Sequence, residues 1–172
     1  MAIPAKVLPG FSASLFMQAA ATPTPLTTAN LSVWSAQVAA IVGTSANGTG
    51  VNGVAVPVEA IPAFGQDDAV ASFGVAGSRQ SDKIPVQAAP TSMTITAAWN
   101  PADTALLQIR SDAYSGVVDR TFVVAAVEGT NTIAYAFNGR VGQFQVDAQP
   151  GAEAKCVFTI HPRGTQYGWS NN

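Results

Sequence analysis

Apolar and polar positions alternate through the C-terminal half of the chain. Thr91–Trp99 places Met93, Ile95, Ala97 and Trp99 on one face and Thr94, Thr96 and Ala98 on the other. A period of two is the mark of a half-buried strand. Asn100-Pro101 stops that strand. Asn100 suits an N-cap, Pro101 the first helical position and Asp103 the first turn, where the helix dipole favours an anion. A helix is predicted over Pro101–Asp112. Ala102, Leu106, Ile109 and Ala113 form its apolar stripe, with Leu107 and Tyr114 beside them, and Gln108, Arg110 and Asp112 fall on the other side. Gly116 suits the C-terminal stop.

Val117–Val127 is rich in β-branched residues, and Glu128-Gly129-Thr130-Asn131 reads as the turn of a hairpin. The return strand, Thr132–Asp147, is long and changes parity. Ile133, Tyr135, Phe137 and Val141 are odd, whereas Phe144 and Val146 are even. One extra residue near Gly139 or Gly142, a β-bulge, explains the change. After a turn at Gln149–Ala152, Glu153–Pro162 alternates Ala154, Cys156, Phe158 and Ile160 against Lys155, Val157, Thr159 and His161.

The N-terminal half is less regular. Residues 1–10 contain Pro4 and Pro9 and read as an extended arm; Phe11–Gln18 reads as a short strand. Pro23 and Pro25 make Ala19–Asn30 a loop. Leu31–Val42 is apolar enough for either strand or helix, and its β-like neighbours favour strand. Gly43–Gly53 reads as the tip of a hairpin, and Val54–Ile61 as a strand interrupted by Pro57. Ala63–Pro90 reads as a long irregular interaction loop carrying Asp67, Asp68, Arg79, Asp82 and Lys83. Residues 164–172 form a C-terminal tail with Tyr167 and Trp169.

Composition narrows the class. Hydrophobic residues make up 48% of the 172, enough for one domain with a sizeable core. Charged residues are only 10%, against about 25% in ordinary domains. So little charge solvates a free surface poorly, which points to burial by other copies. Eight scattered Lys and Arg residues and a net charge of −2 argue against tight nucleic-acid binding. No apolar run approaches the ~20 residues that span a bilayer. The N-terminus lacks a secretory pattern, so the expectation is a soluble protein that stays in the cytoplasm.

Chemistry is sparse. His161 is the one histidine, and it falls on the opposite strand face from Cys156, the one cysteine. A surface or interface histidine and a core cysteine are expected, not a catalytic pair. Gly48-x-Gly50-x-x-Gly53 spells a dinucleotide fingerprint, but Pro57 and an alternating strand follow it where that site needs a helix. Asp67-Asp68 is an adjacent acidic pair that lacks the further close oxygen ligands a metal needs. No catalytic, cofactor-binding or metal site is therefore assigned, and no enzyme is expected.

Specific residues resemble the major tail tube proteins of long-tailed bacteriophages over Pro62–Thr165. They are the loop Gly65-Gln66-Asp67-Asp68, then Ser78-Arg79-Gln80-Ser81-Asp82-Lys83, and the strand Thr94–Trp99 with Asn100-Pro101 after it. The helix segment Ala105-Leu106-Leu107, Arg120-Thr121-Phe122, Gly142-Gln143-Phe144 and Phe158-Thr159-Ile160 follow. The resemblance implies a mainly β fold, a β-sandwich or partial barrel with one flanking α-helix and long loops, assembling as a hexameric ring. It implies a virion protein, assembled in the host cytoplasm, whose rings stack into a hollow tail tube around a tape-measure protein. Tail-tip and tail-terminator proteins would close the two ends, and double-stranded DNA would pass through without tight binding. Asp67, Asp68, Arg79, Asp82, Lys83, Tyr167 and Trp169 are the expected inter-subunit contacts. The alternatives are the tube of a contractile tail or secretion system and, in a different class, a carbohydrate-binding β-sandwich.

Overall fold

The computed structural model describes residues 13–20, 40–41, 53–74, 81–128, 131–149 and 151–171. The strands are β1 (Ala13–Gln18), β2 (Gly53–Val56), β3 (Gln66–Gly74), β4 (Ser81–Pro90), β5 (Met93–Ala98), β6 (Asp119–Glu128), β7 (Asn131–Asp147) and β8 (Lys155–Asn171). A helix, α1 (Thr104–Ser115), joins β5 to β6. The expected arm at residues 1–10 and most of Gly43–Gly53 lie outside the described residues.

Six strands form one antiparallel sheet in the order β2-β1-β6-β7-β8-β5. The sheet curls until its edges nearly meet. Val58, just past β2, makes an isolated bridge to Ala97 on β5, and Glu59 N–H donates to Thr96 O at 3.0 Å. Lys155 Nζ and Glu59 Oε1, 2.7 Å apart, stand at the same junction. The result is the partial-barrel form of the expected mainly β class.

Two irregularities permit the curl. Between Val141 and Phe144 on β7 the pairing with β8 slips by one residue, which is the expected bulge at Gly142. It explains the parity change, because Val141 and Phe144 then both turn toward the core. A second slip lies between Ala136 and Asn138, where β8 carries the extra residues and Gly164 adopts φ +72. A glycine takes that left-handed conformation without steric cost. The strand therefore continues to Asn171, and the expected C-terminal tail is instead the second half of β8. The seventeen-residue β7 supplies the pairing template that a tail alone would lack.

The core is the inner face of this barrel. Met93, Ile95 and Ala97 from β5, Phe122 and Val124 from β6, Phe137 and Val141 from β7, and Cys156, Phe158 and Ile160 from β8 are buried in one cluster. The alternations in β5 and β8 are thus borne out. Trp99 packs at the cluster's margin, with its ring edge-on to Phe144 at 5.7 Å. Ala105, Leu106 and Ile109 bring α1 onto the same cluster. The other face of β1, β6 and β7 is also covered: Phe16, Val123, Ala125, Ala134 and Ala136 are buried there.

The helix starts later than expected. Asp103, not Asn100, is the N-cap, and its carboxylate accepts from Leu106 N–H at 3.0 Å. Asn100 holds the preceding turn instead, accepting from Ala102 N–H at 2.9 Å. Gly116 ends the helix at φ +64, as read from the sequence. Asp112, placed on the polar side by periodicity, is buried, and Tyr114, placed beside the apolar stripe, is 78% exposed. Of the Leu31–Val42 stretch read as strand, Ala40 and Ile41 are described, and both are helical. The β2 strand is shorter than Val54–Ile61, because Pro57 cannot donate to a ladder.

Ala63–Pro90 is not an irregular loop. Most of it is the β3–β4 hairpin, a separate two-stranded sheet whose base is closed by Thr91 N–H donating to Gly65 O at 3.2 Å. Its alternation is blurred by Ala and Gly and by a register shift after Ala69. Pro85 sits inside β4, tolerable because each strand of a two-stranded ribbon keeps one unpaired edge.

Arg120 and Asp112, both essentially inaccessible, form a bidentate ion pair. Arg120 Nε donates to Asp112 Oδ2 at 2.6 Å and Nη2 to Oδ1 at 3.1 Å. Gln108 Nε2 adds a third bond to the carboxylate at 3.0 Å. Arg120 Nη1 donates to the carbonyls of Gln18 and Ala20, where β1 ends. One guanidinium therefore ties α1, β6 and the exit of β1. Arg120→Met should destabilise the fold by about 3–5 kcal/mol, because it strands a buried carboxylate. Adding Asp112→Leu should restore much of that loss. Urea denaturation of wild type, single and double variants checks both expectations.

Candidate assembly surfaces

The seven residues expected at subunit contacts do not form one site. Asp67 and Asp68 lie near the base of the β3–β4 hairpin, in register with Ala89 and Ala88. Asp82 and Lys83 lie near its tip, in register with Phe73 and Ser72. Five residue steps of β3 lead from Asp68 to Phe73, roughly 17 Å of strand. Arg79 is outside the described residues. Tyr167 and Trp169 lie in the distal half of β8, paired with Ala136 and Ala134 of β7.

The hairpin stands apart from the barrel sheet. A two-stranded ribbon is marginal in water by itself, and this one is hydrogen-bonded to no strand of the barrel sheet. Phe64, just before it, packs at a tilt of 42° against Tyr135 of β7 with ring centroids 5.0 Å apart, yet stays 43% exposed. Val70, within β3, is 54% exposed.

Sequence reading missed the ionic groups that organise the barrel surface. Arg120 shares parity with Phe122 and Val124, so its inward position was readable from the alternation. At one corner, Asp119 accepts from Arg140 Nε at 2.8 Å and from Arg163 Nη1 at 3.1 Å. Arg140 also donates to the carbonyls of Gly116 and Val117, at 3.2 and 3.1 Å. These bonds brace the chain as it leaves α1. Across the sheet, Ser92 Oγ and His161 Nδ1 are 2.9 Å apart, and the Thr94 and Thr159 hydroxyls 3.3 Å. His161 is exposed and Cys156 buried, on opposite faces of β8. Burial, and then the Asp103 charge, push the Cys156 thiol above its ordinary range. Among the described residues, no group of three or more His, Cys, Asp or Glu side chains could hold a metal, and no helix is long and apolar enough to cross a membrane.

Partial burial by itself pushes the Asp119 carboxyl up, but the hydrogen bonds and charges of Arg140 and Arg163 outweigh it and hold the group below its ordinary 3.8. A carboxylate whose folded pKa is depressed stabilises the fold above its unfolded pKa, and that contribution is lost as pH falls through the folded value. Wild type should therefore exceed Asp119→Asn in stability by up to about 1 kcal/mol at neutral pH. The difference should shrink as pH falls below 3.8 and vanish once the folded-state carboxyl is protonated. Urea midpoints of the two proteins across that range test this.

No family model matches the sequence, and no curated protein matches it. Solved structures do. A chain of the anti-feeding prophage (AFP) baseplate, a six-fold symmetrised cryo-EM structure, is similar with a TM-score of 0.61 at 10% identity, covering 98% of this chain and 97% of that one. A chain of the AFP tube-terminating cap is similar at 0.54 and 15% identity, covering 69% of this chain and 83% of that one. The SPP1 tail tube, solved by solid-state NMR and cryo-EM, is similar at 0.52 and 12% identity, covering 92% and 76%. The likeness establishes that this curled sheet with its helix is a fold shared with chains of tail tubes and of tube-bearing assemblies.

Proposed function

We propose that this protein is a structural tube subunit of a phage-type tail. Its copies form hexameric rings, and the rings stack into a hollow conduit. The observation that carries this reading is the end-to-end likeness to a chain of a six-fold symmetrised baseplate. The shared fold with the SPP1 tail tube agrees with it. The sequence adds a physical reason. With 10% charged residues, the chain is suited to having much of its surface covered by its own copies.

In this reading the β3–β4 hairpin leaves its own barrel and docks on a neighbouring subunit or ring. Asp67, Asp68, Arg79, Asp82 and Lys83 supply its polar contacts, and Tyr167 and Trp169 lie at a second contact along β8. A ring built this way is heterologous and closes by rotation. A tape-measure protein occupies the bore during assembly, tip and terminator proteins cap the ends, and double-stranded DNA passes through in the finished virion. Few basic side chains suit a bore through which a polyanion slides. A second reading, the tube of a contractile tail or a secretion system, is favoured by the AFP chain superposing better than SPP1, at 0.61 against 0.52.

Electron microscopy of the purified protein, concentrated with and without a tail extract as nucleator, should show six-fold rings or hollow tubes. A persistent monomer under both conditions overturns the tube reading. Asp67→Lys with Asp68→Lys should cut tube yield sharply while leaving the far-ultraviolet circular dichroism of the barrel unchanged. Unchanged yield would remove the hairpin from the assembly mechanism.

A further inference from the structure

Two exposed surfaces, one beside the middle of β7 and one at the β7–β8 turn, complement each other. The first surrounds the C-terminal end of α1. Tyr114 is 78% exposed and Val117 72%, an unusual degree for two large apolar side chains three residues apart. Beside them stands the Asp119 cluster, in which two arginines share one carboxylate, leaving a net charge of +1. Arg140 spends its donors within the chain. Arg163 is 53% exposed and bonds to Asp119 through Nη1 alone.

The second surface is the β7–β8 turn. Val146 is 44% exposed, and Asp147 and Glu153 are exposed beside it. The cation there, Lys155, is paired with Glu59 at 2.7 Å, so the turn keeps a negative charge. Seven residue steps of β7 lead from Arg140 to Asp147, roughly 23 Å of strand. The two surfaces therefore lie too far apart to meet within one subunit. Each has an apolar centre and a charged rim, and the rims have opposite sign. That anatomy fits a protein–protein contact in which aromatic and arginine side chains dominate.

We infer that the corner formed by Tyr114, Val117 and Arg163 in one copy receives the turn formed by Val146, Asp147 and Glu153 in the next, as a head-to-tail contact. This rests on the tube reading and names a pair of surfaces through which its copies join. The contact is heterologous, because the two surfaces differ, so it propagates around a ring or along a stack. A self-complementary dimer would place like charges together, which is unfavourable.

Charge exchange between two variants tests the contact. The first is Arg163→Glu; the second combines Asp147→Lys with Glu153→Lys. Each opposes like charges at every contact, so neither should assemble alone at concentrations where wild type does. An equimolar mixture should assemble, because each contact then pairs opposite charges in an alternating array. Sedimentation velocity and electron microscopy read the result, with circular dichroism confirming that both variants fold. Should the doubly substituted turn fail to fold, Asp147→Asn with Glu153→Gln replaces it. That milder pair should raise the wild-type critical concentration by about tenfold. Tyr114→Ala should weaken assembly in the same way. Assembly of either charge-reversed variant alone, or no recovery in the mixture, overturns the contact while leaving the tube reading intact. A wild type that never assembles overturns both.

Discussion

A single buried guanidinium sets the arrangement of this fold. α1 is twelve residues long, too short to be stable without packing. Its apolar side chains hold it to the barrel core, but apolar contact alone tolerates sliding and rotation. The Arg120–Asp112 pair does not. Removing two charges from water is costly, and the cost is offset only where the fork of the arginine meets both carboxylate oxygens. Any other docking of the helix leaves one charge buried without its partner. Because the same guanidinium takes the carbonyls at the end of β1, the position of the helix and the exit of the first strand are decided together.

The barrel that results is well satisfied inside and incomplete outside. Its core is apolar and continuous, and the edges of its sheet are joined by a bridge at Val58 and an ion pair at Glu59. The β3–β4 hairpin, by contrast, is a separate two-stranded sheet, hydrogen-bonded to no strand of the barrel. The exposed apolar residues lie at the end of the helix, at the β7–β8 turn, and at and just before the hairpin. The core is thus closed, while large apolar side chains such as Tyr114, Val117 and Val146 stay exposed at the periphery.

Much of the architecture was legible from alternation. The inward faces of β5 and β8, the hairpin between β6 and β7, the bulge near Gly142 and the stop at Gly116 all follow from local rules, because each is decided by neighbours within a few residues. The hairpin at Gln66–Pro90 was not legible. Small residues, Pro85 and a register shift hide its period. The second half of β8 was hidden for another reason. Thr165–Asn171 reads as a polar and aromatic tail until β7 is seen to extend far enough to pair with it.

The sequence by itself determined a mainly β chain with a helix directly after the Thr91–Trp99 strand, a core sufficient for one domain, and a surface poor in charge. These depend on side-chain period and composition, which are properties of short stretches and sums. Only the tertiary structure decided that Asp112 turns inward to Arg120, that Val58 returns to close the barrel on Ala97, and that Tyr114 faces outward beside a basic cluster. Each of these depends on residues distant in the chain meeting in space. A buried charge finds its partner, and an apolar side chain is left without one, only once the sheet has curled.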